Sequence, residues 1–510
     1  MSFILRCLDC GHKAPYYPTA YHCPNCQGDW REAEYDLDML SKTLPLQLPN
    51  RSFDLWRYHE LLPIRTPNPA IALGEGGTPL IQATNLGMML GCPNIFIKDE
   101  RQGPTASFKD RQAAVSIAAL KEAGITEMVV ASTGNVAIAY SAYAARAGIK
   151  LWAFVTSLVP AVKMREIALY GSQVIKVTGS YDEVKRAASE FAKQRNLYQS
   201  QGARSTPAVE AMKTIAYEVS EQLTAYFGAE ANQDDEKKAP WRSPDWYIQA
   251  VSGGMGPLGV AKGFDELQKM GFIEKKPAIA AIQTAGCAPM VISWKKGLET
   301  AEVVEEPRTH IETLATGDPG RTYKLLRKEI NDHGGVFESV TDEEAFRAMH
   351  VLAKMEGISA EPASAVAFAG LFKLVRAGII KPEDTVVVNC TGHTMPPEKF
   401  VLGDDWTRNV VLPEKKAQQE TPKEGVLAAL SHVVPERFPR VVIVDDTTEA
   451  RLLIRRILQS QGDFTLFEAS NGKEALRVIR RENPDLIILD LMMPELDGFG
   501  VLDELKNGIS

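Results

Sequence analysis

Several features are missing from this 510-residue chain, and each absence excludes a class of protein. No run of about 18 uninterrupted apolar residues occurs, so no membrane-spanning helix is expected. The start, Met1-Ser-Phe-Ile-Leu-Arg6, runs straight into cysteines and lacks the apolar core of a secretory signal. Lys and Arg form no face-forming cluster, and the net charge is -8, so a nucleic-acid partner is not expected. Cysteine is scarce. Its seven copies, at 7, 10, 23, 26, 92, 287 and 390, form an odd and uneven set that suits a reducing cytoplasm better than a disulfide framework. There are no internal repeats.

What is present is an ordinary globular composition, 45% hydrophobic and 24% charged, over a length that accommodates several domains. Residues 1–30 are dense in Cys, Gly, Pro and aromatics but too short to build a core, and 31–70 extend them. From 71 to 405, short apolar runs alternate with alanine-rich helical stretches. Glu127-Met-Val-Val130, Leu151-Trp-Ala-Phe-Val155, Gln173-Val-Ile-Lys-Val177, Trp246-Tyr-Ile-Gln-Ala-Val251, Ala278-Ile-Ala-Ala-Ile282 and Asp384-Thr-Val-Val-Val-Asn389 are the strands of this block. Such alternation predicts an α/β architecture with mainly parallel sheets covered on both faces. Residues 229–243 read as an exposed polar insertion. A linker over 406–438 contains Pro413-Glu-Lys-Lys-Ala-Gln-Gln-Glu-Thr-Pro422 and has little to bury. A second α/β unit occupies 439–510.

Cys7-Leu-Asp-Cys10 and Cys23-Pro-Asn-Cys26 are two C-x-x-C pairs with twelve residues between them. Each pair turns tightly enough to present two thiolates, and together they predict a four-cysteine zinc site, with a metal-free redox pair as the alternative. Four thiolates close the coordination sphere, so such a zinc is structural.

Ligands of open α/β sheets sit beyond the carboxyl ends of strands. Ser252-Gly-Gly-Met-Gly256 lies at such an end and opens a helix, where backbone N–H groups cradle a phosphate. Ser132-Thr-Gly-Asn135 and Cys390-Thr-Gly-His393 hold equivalent positions. A lysine just before a helix, Lys109 in Ser107-Phe-Lys-Asp-Arg111, completes a set that suggests pyridoxal phosphate, which needs a Schiff-base lysine and an anion cradle.

Residues 1–400 resemble the threonine synthase branch of the fold-type II pyridoxal-phosphate enzymes, which also includes serine and threonine dehydratases. Gly74-Glu-Gly-Gly-Thr-Pro-Leu80, the Lys109 motif, Ser132–Asn135 with Ala142-Tyr-Ala-Ala-Arg-Ala-Gly148, Lys213-Thr-Ile-Ala-Tyr-Glu218, Glu361-Pro-Ala-Ser364 and Thr391-Gly-His393 carry the likeness in order. The resemblance implies two parallel-sheet subdomains and a homodimer. It also implies that Lys109 holds the cofactor and then moves protons on substrate carbons. Phe108 packs near the cofactor ring, Asn135 meets its 3-hydroxyl, and Thr391 meets its pyridine nitrogen. Gly253, Gly254, Met255 and Gly256 bind its phosphate, and Ser132 and Thr133 receive the substrate carboxylate. Two departures stand out: Val136 replaces the usual Thr after the asparagine, and Ser205-Thr-Pro-Ala208 has no arginine where the family's Asn-Pro-x-Arg holds the substrate phosphate. Arg204 is near but displaced.

At the C-terminus, Val444-Asp-Asp446 and Leu486-Ile-Ile-Leu-Asp490 end apolar strands with carboxylates. This resembles the receiver domain of response regulators, with Asp445, Asp446 and Asp490 around Mg2+, the Met492 carbonyl completing the metal shell, Asp490 as phosphoacceptor, and a histidine kinase as partner. Only three of the family's five strand–helix units are drawn here, in the flavodoxin-like order that leaves the third strand as an edge. Met492 and Met493 are expected as exposed apolar groups.

Three functions follow as expectations. The first is a threonine synthase-like lyase acting on O-phosphohomoserine. The second is a dehydratase or β-replacement enzyme of the same fold, which Val136 and the missing arginine favour. The third is a phosphorelay scaffold built on the receiver.

Overall fold

A computed structural model describes residues 3–18, 20–132, 134–157, 159, 161–179, 181–228, 241–393, 408–410, 434–435, 439–461 and 464–508. The chain divides into two compact units, one reaching from the N-terminus to Leu402 with 406–434, the other covering 435–510 with 403–405. Among the described residues no helix is long and apolar enough to cross a membrane.

Among the described residues, the first unit contains three sheets. Ile4–Cys7 pairs antiparallel with Lys13–Pro15 and with Arg31–Glu34, framing the cysteine module. A six-stranded sheet follows in the order Val336–Val340, Ala278–Thr284, Trp246–Ala250, Val386–Cys390, Ile95–Asp99, Leu80–Gln82; only the last pair is antiparallel. The strands Trp246–Ala250, Ile95–Asp99 and Val386–Cys390 are buried at every residue, because helices cover both faces.

The other six-stranded sheet has Gln173–Val177, Lys150–Thr156, Glu127–Ser132 and Tyr198–Ser200 as parallel neighbours. Arg408–Val410 adds to it in parallel with Gln173–Val177. This segment lies inside the span the sequence marked as linker. The difference has a simple cause: the outer edge of Gln173–Val177 offers unpaired N–H and C=O groups, and three residues of extended chain satisfy them whatever their side chains. Most of the insertion at 229–243 lies outside the described residues.

The second unit is a three-stranded parallel sheet, ordered Thr465–Ala469, Arg440–Val444, Leu486–Leu489. Leu486 on the outer strand is half exposed, and Met492 is 82% exposed. Met493 corrects the expectation made for it. It is 8% exposed and packs with Val444, Ala475 and Val501, an apolar core that takes it out of water while Met492 stays outside.

Candidate active site

Lys109 opens the helix Lys109–Glu122, and the loop before it is stitched to the far end of the chain. Phe108 N–H donates to the Thr391 carbonyl at 3.0 Å, and His393 N–H donates to the Ala106 carbonyl at 3.0 Å. The lysine motif and Thr391-Gly-His393 are therefore one structure, although they are remote in sequence. Behind them, Arg111 is 1% exposed and donates to Glu100 at 2.7 Å and to Glu218 at 2.6 Å. Lys98 donates to Glu218 at 2.7 Å, and the Thr78 hydroxyl donates to Glu100 at 2.7 Å. Burial would raise the Glu218 carboxyl, but Arg111 and Lys98 outweigh it and hold the group down to about 2. Three of the quoted motifs, those of Thr78, Arg111 and Glu218, thus meet in one buried ion network.

A cavity of about 480 Å³ opens over Lys109 and is lined also by Phe108, Asn135, Ser252, Glu361 and Thr391. Lys109 is part-buried and lines the cavity, and desolvation pushes its amine down to about 8, with the Glu361 carboxylate opposing part of the fall. Its nitrogen lies 4.1 Å from the centre of the Phe108 ring. Asn135 Nδ2 donates to Glu361 Oε1 at 2.8 Å, and Lys163 Nζ donates to Asn135 Oδ1 at 2.7 Å and to Glu361 Oε2 at 3.2 Å. This triangle fixes the Asn135 amide, with one N–H of Nδ2 left over. The Thr391 and Ser364 hydroxyls are 2.8 Å apart.

Gly253 lines the cavity beside Ser252, and the helix Met255–Lys269 starts directly behind them. The first N–H groups of a helix have no partner within it. Gly254 has φ +82°, and a side chain on Gly256 would run into Gln249 and Phe108, so this turn requires glycine at both places. A desolvated amine held below the ordinary lysine range, on the same open cavity as an anion cradle, fits pyridoxal phosphate. Lys109, Asn135, Ser252–Gly256 and Thr391 are the residues that would hold it.

Two expected substrate ligands fare differently. Thr133 lies outside the described residues. The Ser132 hydroxyl accepts N–H groups of Gly134 and Ala137, both at 3.0 Å, so it holds the start of the helix Asn135–Ala147, buried at 1% exposure. Sequence reasoning did not find Lys163, which sits on the helix Ala161–Leu169 with no local motif to mark it. It quoted Glu361 without a role, because nothing local shows that this carboxylate faces Lys109.

In the cysteine module, ligand atoms of Cys7, Cys10, Cys23 and Cys26 all lie within 4.8 Å of one another. The Cys7–Cys26 and Cys10–Cys23 sulfurs are 3.6 and 3.7 Å apart. A tetrahedron of zinc–sulfur bonds near 2.3 Å has edges of about 3.8 Å, so the donor set fits zinc. The backbone N–H groups of Asp9 and Gly28 point at Cys7 and Cys26 sulfur, both at 3.4 Å. In the second unit, Asp445, Asp446 and Asp490 likewise bring carboxylate oxygens within 4.8 Å of one another, a set that suits a hard divalent cation.

The fold and the cavity around Lys109 define a pyridoxal-phosphate enzyme, and the chain belongs to that family: the model of pyridoxal-phosphate dependent enzymes matches residues 71–392. Its curated relatives include a threonine synthase of Methanocaldococcus jannaschii, 33% identical over 76% of this chain and 91% of that protein. A threonine synthase of Methanosarcina acetivorans is 31% identical over 78% of this chain and 93% of that protein. Among solved structures, the processed form of threonine deaminase isoform 2 from Solanum lycopersicum shares the fold with a TM-score of 0.52 at 21% identity, over 62% of this chain and 79% of that one. Residues 441–509 match the response regulator receiver domain.

Proposed function

We propose that the first unit converts O-phosphohomoserine and water to threonine and inorganic phosphate. The observation that carries this reading is the desolvated Lys109 amine on one cavity with the Ser252–Gly256 cradle, in a chain whose threonine synthase relatives align over nearly their whole length. When bound, the cofactor supplies the electron sink for carbanion chemistry on the substrate. Lys109 Nζ, lowered to about 8, takes protons from substrate carbons and returns them near neutral pH. Asn135, fixed by Lys163 and Glu361, would orient the cofactor ring through its remaining N–H, and Thr391 would offer the ring nitrogen a neutral partner. Phe108, 8% exposed, shields the amine from water. Four thiolates in the cysteine module take zinc. Asp445 and Asp446 take Mg2+ beside Asp490, the phosphoacceptor for a histidine kinase.

A dehydratase of serine or threonine is the second reading, favoured by Val136, which lines the cavity with a side chain that donates no hydrogen bond. The test is a visible-absorbance titration of the purified holoenzyme with O-phosphohomoserine, then serine and threonine, while phosphate, ammonia and keto acid are assayed. Phosphate release with O-phosphohomoserine, lost in Lys109→Ala, is the expected result. Ammonia and keto acid from serine or threonine, with no response to O-phosphohomoserine, would move the assignment to the dehydratase.

A further inference from the structure

The cavity over Lys109 has a rim that no family motif describes. Trp30, Lys185, Arg204 and Arg321 line it, together with Asp318. Trp30 belongs to the cysteine module, and both arginines are tied to that module. Arg204 Nη1 donates to Asp29 at 2.7 Å. Arg321 pairs with Asp9, donates to the Leu8 carbonyl at 3.4 Å, and holds its guanidinium 5.8 Å from the centre of the Trp30 ring. Asp9 lies within the first C-x-x-C turn, whose fold its own N–H supports through Cys7 sulfur. Asp29 and Trp30 directly follow the second turn, where a side chain on Gly28 would strike Asp9 and Cys26.

The module is itself held down on the catalytic body. Gln199 N–H donates to the Tyr21 hydroxyl at 2.8 Å, and the Tyr35 hydroxyl donates to Glu210 at 3.1 Å. The remaining rim charges are accounted for locally. Lys185 pairs with Asp182, and Asp318 accepts Gly320 N–H at 2.8 Å. A guanidinium carries five N–H donors in a planar fork. Arg204 commits one nitrogen to protein, and Arg321 commits its two terminal nitrogens, so each carboxylate orients an arginine and leaves donors for a second oxyanion.

We infer that the cysteine module is a specificity element of the active site: through Asp29 and Asp9 it holds Arg204 and Arg321 at the cavity mouth as the subsite for the substrate's phosphate. This rests on the O-phosphohomoserine reading above. It places the arginines that bind the phosphate outside Ser205-Thr-Pro-Ala208, where the family pattern would put one. A substrate whose amino-acid end sits at Lys109 then directs its far end to the rim.

The experiment compares the holoenzyme with R204M/R321M and with D9N/D29N. The shift of the cofactor band reads affinity for O-phosphohomoserine and for homoserine, and inorganic phosphate is titrated as a competitor. The expected result is a loss of about tenfold or more in O-phosphohomoserine affinity for R204M/R321M, with homoserine affinity held within about twofold. D9N/D29N, which keeps the arginines but frees them, is expected to lose affinity in the same selective manner and to a smaller degree. Equal weakening of both ligands, or no weakening, would overturn the subsite. If the double arginine variant does not fold, R204M alone carries the test, because that side chain is 45% exposed. If the wild type turns over O-phosphohomoserine and the variants bind it as tightly, the subsite fails and the threonine synthase reading stands. If the wild type ignores O-phosphohomoserine but binds inorganic phosphate through these arginines, that reading fails and the subsite stands.

Discussion

Lys109 shows how one side chain takes its chemistry from its surroundings. A lysine amine in water stays protonated to about pH 10.4, and a protonated amine is no nucleophile. Desolvation penalises the ammonium form and brings Lys109 to about 8, while Glu361 pulls the other way. The apoenzyme is therefore expected to take up pyridoxal phosphate at a rate that rises with pH and levels off above a midpoint near 8, followed by the growth of the visible band. Removing the Glu361 charge removes the influence that favours the ammonium, so Glu361→Gln should move that midpoint lower. An uptake rate still climbing beyond pH 10 would mean that the amine is not desolvated. Ser132 depends on its surroundings too: its hydroxyl accepts two N–H groups of its own loop, which orients the oxygen and leaves its O–H to donate.

Between elements, the motifs that a linear reading finds one by one turn out to be the parts of a single joint. Arg111 on the Lys109 helix, Glu218 on the helix Thr206–Phe227, and Lys98 on the strand Ile95–Asp99 hold one another at 2.6 to 2.8 Å. Replacing Glu218 with Ala leaves the buried Lys98 without a carboxylate partner and Arg111 with Glu100 alone. The expected cost is about 3–5 kcal/mol, read as a lower urea midpoint with an unchanged slope. The sign also has a pH signature. Glu218 is held below the ordinary carboxylate range, so its contribution is present above about pH 4.3 and fades as pH falls towards 2. The strand at Arg408–Val410 belongs to this scale too, since it is the unpaired edge of a neighbour that gives those residues their conformation.

For the molecule as a whole, the two compact units carry separate chemistries. Asp445, Asp446 and Asp490 converge at the strand ends of the second unit, and Asp490 Oδ1 accepts the Met492 N–H at 3.2 Å. With Mg2+ and a small acyl phosphate as donor, the chain is expected to gain one acid-labile phosphoryl group, detected by intact mass, and Asp490→Asn is expected to abolish it. Labelling that persists in Asp490→Asn would place the acceptor elsewhere.

The sequence by itself determined the kinds of chemistry available. A lysine before an alanine-rich helix, glycines opening another helix, four cysteines in two close pairs and aspartates at strand ends are local patterns, and each forms its turn from its own residues. The parallel α/β architecture was legible for the same reason, because strands buried on both faces must be apolar throughout. Only the tertiary structure decided which groups meet. Asn135 and Glu361 lie 226 positions apart, and Arg321 and Asp9 lie 312 apart. The field on Lys109, the orientation of Asn135 and the arginine rim of the cavity all depend on such distant pairs, and chain folding alone sets the distances over which charges and hydrogen bonds act.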